Sequence, residues 1–241
     1  MGYIDFHTHI LPDMDDGAGN LEISYSMLKK MADEGVDVLF ATPHCLLSRE
    51  EEKSFIKRRR ASFESLKSYL AEKDCDFNMP DIRLGAEIRV TREMKPFENV
   101  DELALEGTDL LLFELPFGEY SAAYGENIYN FSLKAKKIPV LAHMERYISI
   151  YSESDYNDLF SIPNAICQIT TDFISDKKAA KFTAMLIRDE FPLVFGSDCH
   201  NMKSRPPFMA SAFEKNKKFC SKYKILEYTM EGLFEFQNRL I

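Results

Sequence analysis

Short apolar runs alternate with stretches of helical spacing along most of this chain. The runs predicted to be strands are Tyr3–Phe6, Val36–Ala41, Ile82–Glu87, Asp109–Leu115, Ile138–Ala142, Ala165–Ile169 and Leu193–Gly196. Between them, apolar residues recur at intervals of three and four, as at Phe63, Leu66 and Leu70. Repeated alternation of strands with helices predicts a parallel sheet with right-handed crossover connections.

The ends of these strands favour a closed barrel over an open sheet. An open doubly wound sheet gathers its ligands near one switch point, whereas a barrel collects functional residues from most of its strand ends. Six of the seven predicted strands end in a candidate metal ligand. We therefore predict an α/β fold closed as a seven-stranded barrel. No linker or repeat interrupts the pattern, so we predict a single domain over residues 1–241.

The five histidines of the chain all follow predicted strands. The alternation in His7-Thr8-His9 places two imidazoles on the same side of the first strand. The others are His44, His143 and His200. A single histidine at a strand end is most often a structural residue that forms hydrogen bonds. Five at matching positions instead predict one metal cluster.

Carboxylates also occur at the ends of predicted strands, in positions that correspond to those of the histidines. Glu87 ends the third predicted strand and Asp198 follows the seventh. Glu114 lies in an otherwise apolar run, where its charge would be costly without a nearby cation. With the acidic turn Asp15-Asp16-Gly17, the chain offers nine nitrogen and oxygen ligands, more than one ion needs. We predict two or three ions. The sixth strand offers only weak candidates, which are Thr170, Thr171 and Asp172.

Charge and composition exclude several other classes of protein. A net charge of -9 and a pI near 5.2 disfavour a nucleic-acid-binding surface. The one basic run, Arg58-Arg59-Arg60, lies in a stretch of helical spacing and is predicted to face solvent or a second subunit. No apolar segment approaches the roughly 18 residues of a membrane span, so we expect a cytoplasmic protein. The five scattered cysteines predict reduced thiols; they are Cys45, Cys75, Cys167, Cys199 and Cys220.

Together these segments resemble the polymerase and histidinol phosphatase (PHP) superfamily. Within it, the chain is most similar to the bacterial metal-dependent tyrosine phosphatases that are encoded with capsule and exopolysaccharide genes. The resemblance runs nearly end to end through IDFHTHILPDMDDGA, LFATPH, LGAEI, LLFELPF, PVLAHMERY, FGSDCHN and RPP. It implies the PHP fold, a distorted seven-stranded (β/α) barrel. It also implies three divalent metal ions, with Mn²⁺ the usual activating metal and Fe or Zn compatible with the same ligands.

The resemblance assigns the nine ligands to three ions. Those of the first ion would be His7, His9, Glu87 and Asp198. Those of the second would be Glu87 as a bridge, Glu114 and His143. Those of the third would be Asp16, His44 and His200, with Asp16 preferred to Asp15 because it fills the second aspartate of the family's DDG turn. Many other PHP enzymes have histidine in place of Glu114.

Arg146 and Arg205 follow two of these histidines closely and match phosphate-binding arginines of the family. The implied reaction is hydrolysis of a phosphomonoester by hydroxide held on the metals, without a phosphoenzyme. Asp198 or a water on the metal would be the general acid. The chain departs from the family at Arg89, where Tyr or Phe is usual, and at Glu231-Gly232, which replaces a common Asn-Pro.

The implied substrate is a phosphotyrosine-containing protein, a tyrosine kinase of polysaccharide assembly, and Phe117, Tyr120 and Tyr147 are candidate aromatic contacts. An oligomer is compatible with the sequence. Other hypotheses are a small-molecule phosphatase of the histidinol phosphate type and an inactive PHP scaffold. A nuclease is disfavoured by the acidic composition. Cys199 and Arg205 also spell C-x5-R, the signature of cysteine-dependent phosphatases, but the residues between them lack the usual glycine.

Overall fold

A computed structural model describes residues 2–215, 217 and 218, except for the side chain of Ile174. Its strands are β1 (Tyr3–Thr8), β2 (Val36–Ala41), β3 (His44–Cys45), β4 (Asp81–Leu84), β5 (Glu87–Arg89), β6 (Leu110–Glu114), β7 (Ile138–Leu141), β8 (Ile166–Thr170) and β9 (Leu193–Gly196). Its α-helices are α1 (Leu21–Asp33), α2 (Glu52–Ala71), α3 (Val100–Leu103), α4 (Ala122–Ala135), α5 (Glu153–Phe160), α6 (Lys177–Arg188) and α7 (Ala210–Lys215). Short 3-10 helices cover Met144–Tyr147 and Phe173–Ser175. The departure noted at Glu231-Gly232 and the predicted thiol of Cys220 lie outside the described residues.

The strands form two parallel sheets within an α/β fold. One sheet has the order β1-β2-β4, and the other has the order β3-β5-β6-β7-β8-β9. The predicted parallel organisation with crossover helices is therefore confirmed. The strands are divided between two sheets because regular pairing stops directly after the second predicted run and again inside the third.

The interruptions occur at Thr42-Pro43 and at Gly85-Ala86. Pro43 has no backbone N–H to donate, which ends regular pairing there. A Cβ at position 85 would lie 2.6 Å from the side chain of Leu105, so glycine allows this close approach without a shift of that side chain. Hydrogen bonds from the N–H of Gly85 to the carbonyl of Ala41 (2.9 Å) and from Glu87 to Pro43 (3.1 Å) still connect the two chain segments.

The first and last strands also meet at their carboxyl ends. Thr8 forms a parallel bridge with Cys199, and the Asp198 N–H donates to the carbonyl of His7 at 2.8 Å. Gly196 permits this approach, because a Cβ there would lie 2.6 Å from the Cβ of His7. The residues that follow β9 are thus placed directly beside the histidines of β1.

Alternate residues of the strands build an inner apolar cluster. Its buried members are Ile4, Phe6, Val38, Phe40, Leu105, Leu110, Leu112, Val140, Ala142, Ile166 and Val194. The opposite strand faces pack against the helices in a larger cluster. Strands covered on both faces read as continuous apolar runs in the sequence, which is why a polar residue within one is informative.

Arg59 corrects the interpretation of the basic run. Its side chain is buried, and its guanidinium donates to the carbonyl of Gly85 at 2.6 Å and lies 3.5 Å from the carboxylate of Glu102. Arg58 and Arg60 are exposed, as expected. A helical surface repeats every 3.6 residues, so three consecutive arginines cannot share one face, and the middle one points inward.

Two further expectations concern the described residues alone. Within residues 2–215, 217 and 218, no helix has the length and apolar character needed to cross a membrane. The four cysteines in that part of the chain are free thiols, and three of them, Cys45, Cys167 and Cys199, are buried.

Candidate metal centre

The nine predicted ligands come together at the carboxyl ends of the strands. Seven are buried: His7, His9, Glu87, Glu114, His143, Asp198 and His200. His44 is partly exposed, and Asp16 is exposed on the turn that follows β1. The regions that supply these side chains lie up to nearly 200 residues apart in sequence, so their convergence is a consequence of parallel strand order.

The first predicted ligand set is the most compact. The Nε2 atoms of His7 and His9 lie 3.0 Å apart. Each lies 3.3 Å from Oε2 of Glu87, and they are 3.4 and 3.3 Å from Oδ1 of Asp198. Two imidazole nitrogens and two carboxylate oxygens thus face a common point.

The second predicted set shares Glu87 with the first. Nε2 of His143 lies 3.0 Å from Oε1 of Glu87 and 3.9 Å from Oε1 of Glu114. His44 also approaches this pair, with Nδ1 2.7 Å from Oε2 of Glu87 and 3.7 Å from Oε2 of Glu114. The β3–β5 pairing places His44 opposite Glu87, which explains this contact.

The third predicted set is more open to solvent. Oδ1 of Asp16 lies 3.3 Å from Nε2 of His44 and 3.5 Å from Nε2 of His200. His9 belongs to the same group of potential ligand atoms, all within 4.8 Å of one another. His9 and His44 therefore each lie between two of the three predicted ligand sets.

The chemistry of these atoms fits divalent cations. Among the described residues, Oε2 of Glu87, Oδ1 of Asp198 and Nε2 of His200 are buried without a hydrogen-bond partner. Burying such atoms is costly unless a cation satisfies them. The contacting donors are imidazole nitrogens and carboxylate oxygens, a set that suits Mn, Fe or Zn ions.

Electrostatics around the cluster point the same way. Burial opposes the charged form of His9, but the carboxylates of Asp15, Asp198 and Glu87 together outweigh burial and hold the pKa of His9 well above its usual value. Burial also opposes ionisation of Glu87, yet the surrounding histidines, led by His7, hold its pKa well below the usual range. The site thus stabilises positive charge at the position where the carboxylates converge.

Two of the imidazoles are oriented by a hydrogen bond from the nitrogen that faces away from the cluster. Nδ1 of His9 lies 2.7 Å from Oδ2 of Asp15, whose side chain also accepts from the backbone N–H of His44 and of Gly17. Nδ1 of His200 donates to the carbonyl of Asp198 at 2.9 Å. In each case Nε2 is the nitrogen that points toward the other predicted ligand atoms. Asp15 therefore orients His9, one of the predicted ligands, and Asp16 is the aspartate that faces the cluster.

The two predicted arginines meet on one carboxylate. Arg146 and Arg205 both contact Oδ2 of Asp198, whose Oδ1 faces His7 and His9. Burial opposes the charge of Asp198, but His7, His9 and Arg146 together hold its pKa well below the usual value. An ionised Asp198 is suited to bind a cation; its role as general acid stays a prediction.

Backbone geometry presents these groups at the strand ends. His143 has φ of 34° and Asp198 has φ of 49°, a left-handed conformation that is uncommon for residues other than glycine. The 3-10 helix Met144–Tyr147 then returns Arg146 toward the cluster. After His200, the side chain of Asn201 accepts from the N–H groups of Lys203 and Ser204 and forms a tight turn that brings Arg205 back.

Arg89 makes a contact that the family resemblance does not supply. Its Nη1 lies 2.6 Å from Oε2 of Glu114, one of the predicted ligands. A guanidinium in place of the usual aromatic ring thus adds a third positive group beside the cluster. The same carboxylate is shared between Arg89 and the predicted second ion.

The three candidate aromatic contacts differ in their exposure and in their partners. Phe117 is half exposed, and its ring stacks on Tyr147 at 4.9 Å and lies 6.0 Å from His143. Tyr147 is fully buried, and its hydroxyl donates to the carbonyl of Leu115 at 2.7 Å. The hydroxyl of Tyr120 contacts Asp158. Phe117 alone of the three presents a ring face beside the cluster to solvent.

Comparison with known proteins agrees with this geometry. Residues 3–231 match the family model described as capsular polysaccharide synthesis, CpsB/CapC. The chain belongs to the CpsB/CapC family. Tyrosine-protein phosphatase YwqE of Bacillus subtilis is 30% identical over 84% of this chain and 79% of its own length. Tyrosine-protein phosphatase CpsB of Streptococcus agalactiae (serotype III, strain NEM316) is 28% identical over 88% of each chain.

A solved structure supports the same relationship. It belongs to a set of crystal structures of YwqE from Bacillus subtilis and CpsB from Streptococcus pneumoniae, which are described as metal-dependent tyrosine phosphatases. It matches this CpsB/CapC family member with a TM-score of 0.71 and 29% identity, covering 91% of this chain and 89% of that chain.

Gln168 and Asp5 are polar residues at the centre that the sequence did not single out. Gln168 lies in β8 and contacts both His7 and the backbone of His143. Asp5 accepts from the N–H groups of His7 and Ser197, and burial raises its pKa to about 6. Each is a polar side chain within an apolar strand, and that was the available signal.

Cys199 is not placed to act as a nucleophile in this family member. Its thiol is fully buried, and burial raises its pKa far above the usual value, which disfavours the reactive thiolate. We expect Cys199→Ser to keep wild-type turnover of p-nitrophenyl phosphate, with Cys167→Ser as a matched buried control. Loss of turnover in a correctly folded Cys199→Ser protein, together with retention in Cys167→Ser, would support the cysteine mechanism.

Proposed function

We propose that this protein is a metal-dependent phosphomonoesterase that acts as a protein-tyrosine phosphatase. Its proposed substrate is phosphotyrosine in a bacterial tyrosine kinase of capsular or exopolysaccharide synthesis. The observation that carries the proposal is the convergence of nine predicted ligand residues beside two arginines that share the carboxylate of Asp198. The names of the family and of its relatives YwqE and CpsB support it.

Finer features of the centre belong to the same proposal. We infer a single domain over residues 1–241 whose two sheets act as one distorted seven-stranded barrel. The backbone hydrogen bonds across both strand interruptions and the Thr8–Cys199 bridge support this inference. We further infer three ions, with Mn²⁺ as the activating metal, held by the three ligand sets described in the sequence analysis.

Divalent ions bound there would supply a Lewis acid that activates water and offsets the charge of a phosphate. Residues of the chain would bind and orient the phosphate. Arg146 and Arg205 present planar guanidinium groups that bind phosphate oxygens and stabilise the charge that develops during transfer. Asp198 holds both guanidinium groups toward the cluster, so it links the arginines to the first ligand set.

Phe117 supports an aryl phosphate as the substrate. Its exposed ring is stacked on buried Tyr147, so it is held in a fixed orientation beside His143. Aromatic rings prefer offset or edge contacts with one another, and a tyrosyl ring of a substrate would find such a surface here. Phenolate is also a good leaving group, which relaxes the need for a strong general acid.

The function is tested by comparing hydrolysis of a phosphotyrosine peptide, a phosphoserine peptide and histidinol phosphate. We expect fast release of phosphate from the phosphotyrosine peptide with Mn²⁺, and loss of that activity after chelation with recovery on adding Mn²⁺. Faster turnover of histidinol phosphate would favour the small-molecule phosphatase. A folded, metal-replete protein that hydrolyses none of the three would favour the scaffold hypothesis.

A further inference from the structure

Gln168 holds two parts of the candidate metal centre through one oxygen atom. It lies in β8, the strand for which the sequence offered no clear ligand, and it is fully buried. Its Oε1 accepts from the backbone N–H of His143 at 2.8 Å and lies 3.0 Å from Nδ1 of His7. The two histidines belong to different predicted ligand sets.

These contacts fix which way the amide faces. A backbone N–H can only donate, so the atom that meets the N–H of His143 must be the carbonyl oxygen of Gln168. The same oxygen can only accept, so Nδ1 of His7 must carry a proton. Nε2 of His7, which lies 3.0 Å from Nε2 of His9, is then the nitrogen available to a cation.

We propose that Gln168 is a positioning residue that holds His7 with its proton on Nδ1 and Nε2 toward the ions. This proposal rests on the proposed metal-dependent function. Gln168 acts for His7 as Asp15 acts for His9 and as the carbonyl of Asp198 acts for His200. Like Asp15, whose Oδ2 also accepts from the backbone N–H of His44, Gln168 holds the backbone of a second predicted ligand through the same oxygen, here the left-handed turn at His143.

Packing alone does not account for an amide here. Among the described residues, Nε2 of Gln168 has no hydrogen-bond partner although it is buried. An unsatisfied buried donor is costly, and an apolar side chain of similar size would avoid that cost. The contacts of Oε1 are therefore the useful part of this side chain.

The test compares Gln168→Met with Gln168→Glu. Methionine keeps the length of the side chain but removes the acceptor. Glutamate keeps the acceptor, replaces an NH₂ group without a partner by a second oxygen, and adds a negative charge beside His7. Loss of a residue that orients a metal ligand typically weakens metal binding about 10–100-fold. We expect that loss of Mn²⁺ affinity in Gln168→Met, measured by competition with a chromophoric chelator. In Gln168→Glu we expect affinity at least equal to that of the wild type, because the acceptor is kept and the added negative charge favours cation binding.

A matched control and a spectroscopic measurement separate positioning from stability. Thr183→Val removes a buried hydrogen bond in α6, away from the cluster, and should leave Mn²⁺ affinity unchanged. In Zn²⁺-loaded protein labelled with ¹⁵N-histidine, the Nδ1–H signal of His7 is assigned by its absence in His7→Gln. We expect this signal to be protected from exchange in the wild type and in Gln168→Glu, and to lose protection in Gln168→Met.

Wild-type Mn²⁺ affinity in folded Gln168→Met would overturn the proposal. So would equal loss of affinity in Gln168→Met and Gln168→Glu, because the acceptor would then not be the group that matters. If Gln168→Met does not fold, a folded Gln168→Glu with weakened binding overturns it in the same way. Metal binding is measured without substrate, so a protein inactive on phosphotyrosine could still support the role of Gln168.

Discussion

Replacing Glu87 with glutamine is expected to lower kcat/KM for a phosphotyrosine peptide at least about a thousandfold. The two oxygens of Glu87 approach the nitrogens of His7, His9, His44 and His143 at 2.7 to 3.3 Å, so this carboxylate lies between the first and second ligand sets. A neutral amide cannot bridge two cations. Metal ions supply several kcal/mol of transition-state stabilisation, and losing about 4 kcal/mol corresponds to about a thousandfold.

The measurement pairs steady-state kinetics with metal content. Glu34→Gln is a suitable control because Glu34 is also a buried glutamate, but it lies at the end of α1 and pairs with Lys30. That control should keep both activity and bound metal. Full activity in Glu87→Gln would contradict the proposed bridging role, and normal metal content with no activity would restrict the role of Glu87 to the reaction itself.

The sequence predicted the location of this centre because parallel strands place their carboxyl ends at one edge. His7, His44 and Glu87 were recognised from their positions after apolar runs, and the structure brings them within contact distance. The division into two sheets was not predicted, because strand patterns do not show where pairing is interrupted. Pro43 and Gly85, at the two interruptions, were the local signals.

Side-chain contacts between residues that are distant in sequence could not be predicted, for a different reason. Gln168 contacts His7 across 161 residues, and Arg59 reaches the carbonyl of Gly85 from a helix. Spacing along the chain carries no information about such pairs. The apolar setting of Gln168 marked it as unusual. For Arg59 the local signal was its position four residues after Phe55 and four before Phe63, on the apolar face of α2. Polar residues in predicted buried strands therefore deserve the same scrutiny as histidines.

The arginines are expected to give the second largest effect. Arg146→Gln and Arg205→Gln should each lower kcat on a phosphotyrosine peptide about 100- to 1,000-fold, because each removes a charged donor that we propose stabilises the negative charge of the transition state. Mn²⁺ affinity should change little, since neither guanidinium is a ligand. Arg188→Gln removes an exposed guanidinium that pairs with neighbouring Asp189 and serves as the control.

A double variant that combines Arg146→Gln with Arg205→Gln distinguishes a role in phosphate binding from a role in stabilising Asp198. Both guanidinium groups contact the same oxygen of Asp198, so either single variant leaves that buried carboxylate paired with one arginine. Removing both leaves it without a guanidinium partner, and we expect a fall in Tm as well as activity. Because the groups share one partner and one phosphate, their effects on kcat should be less than multiplicative. Single variants that retain wild-type kcat, with only the double variant unstable, would show that the arginines support the fold and do not contact the phosphate.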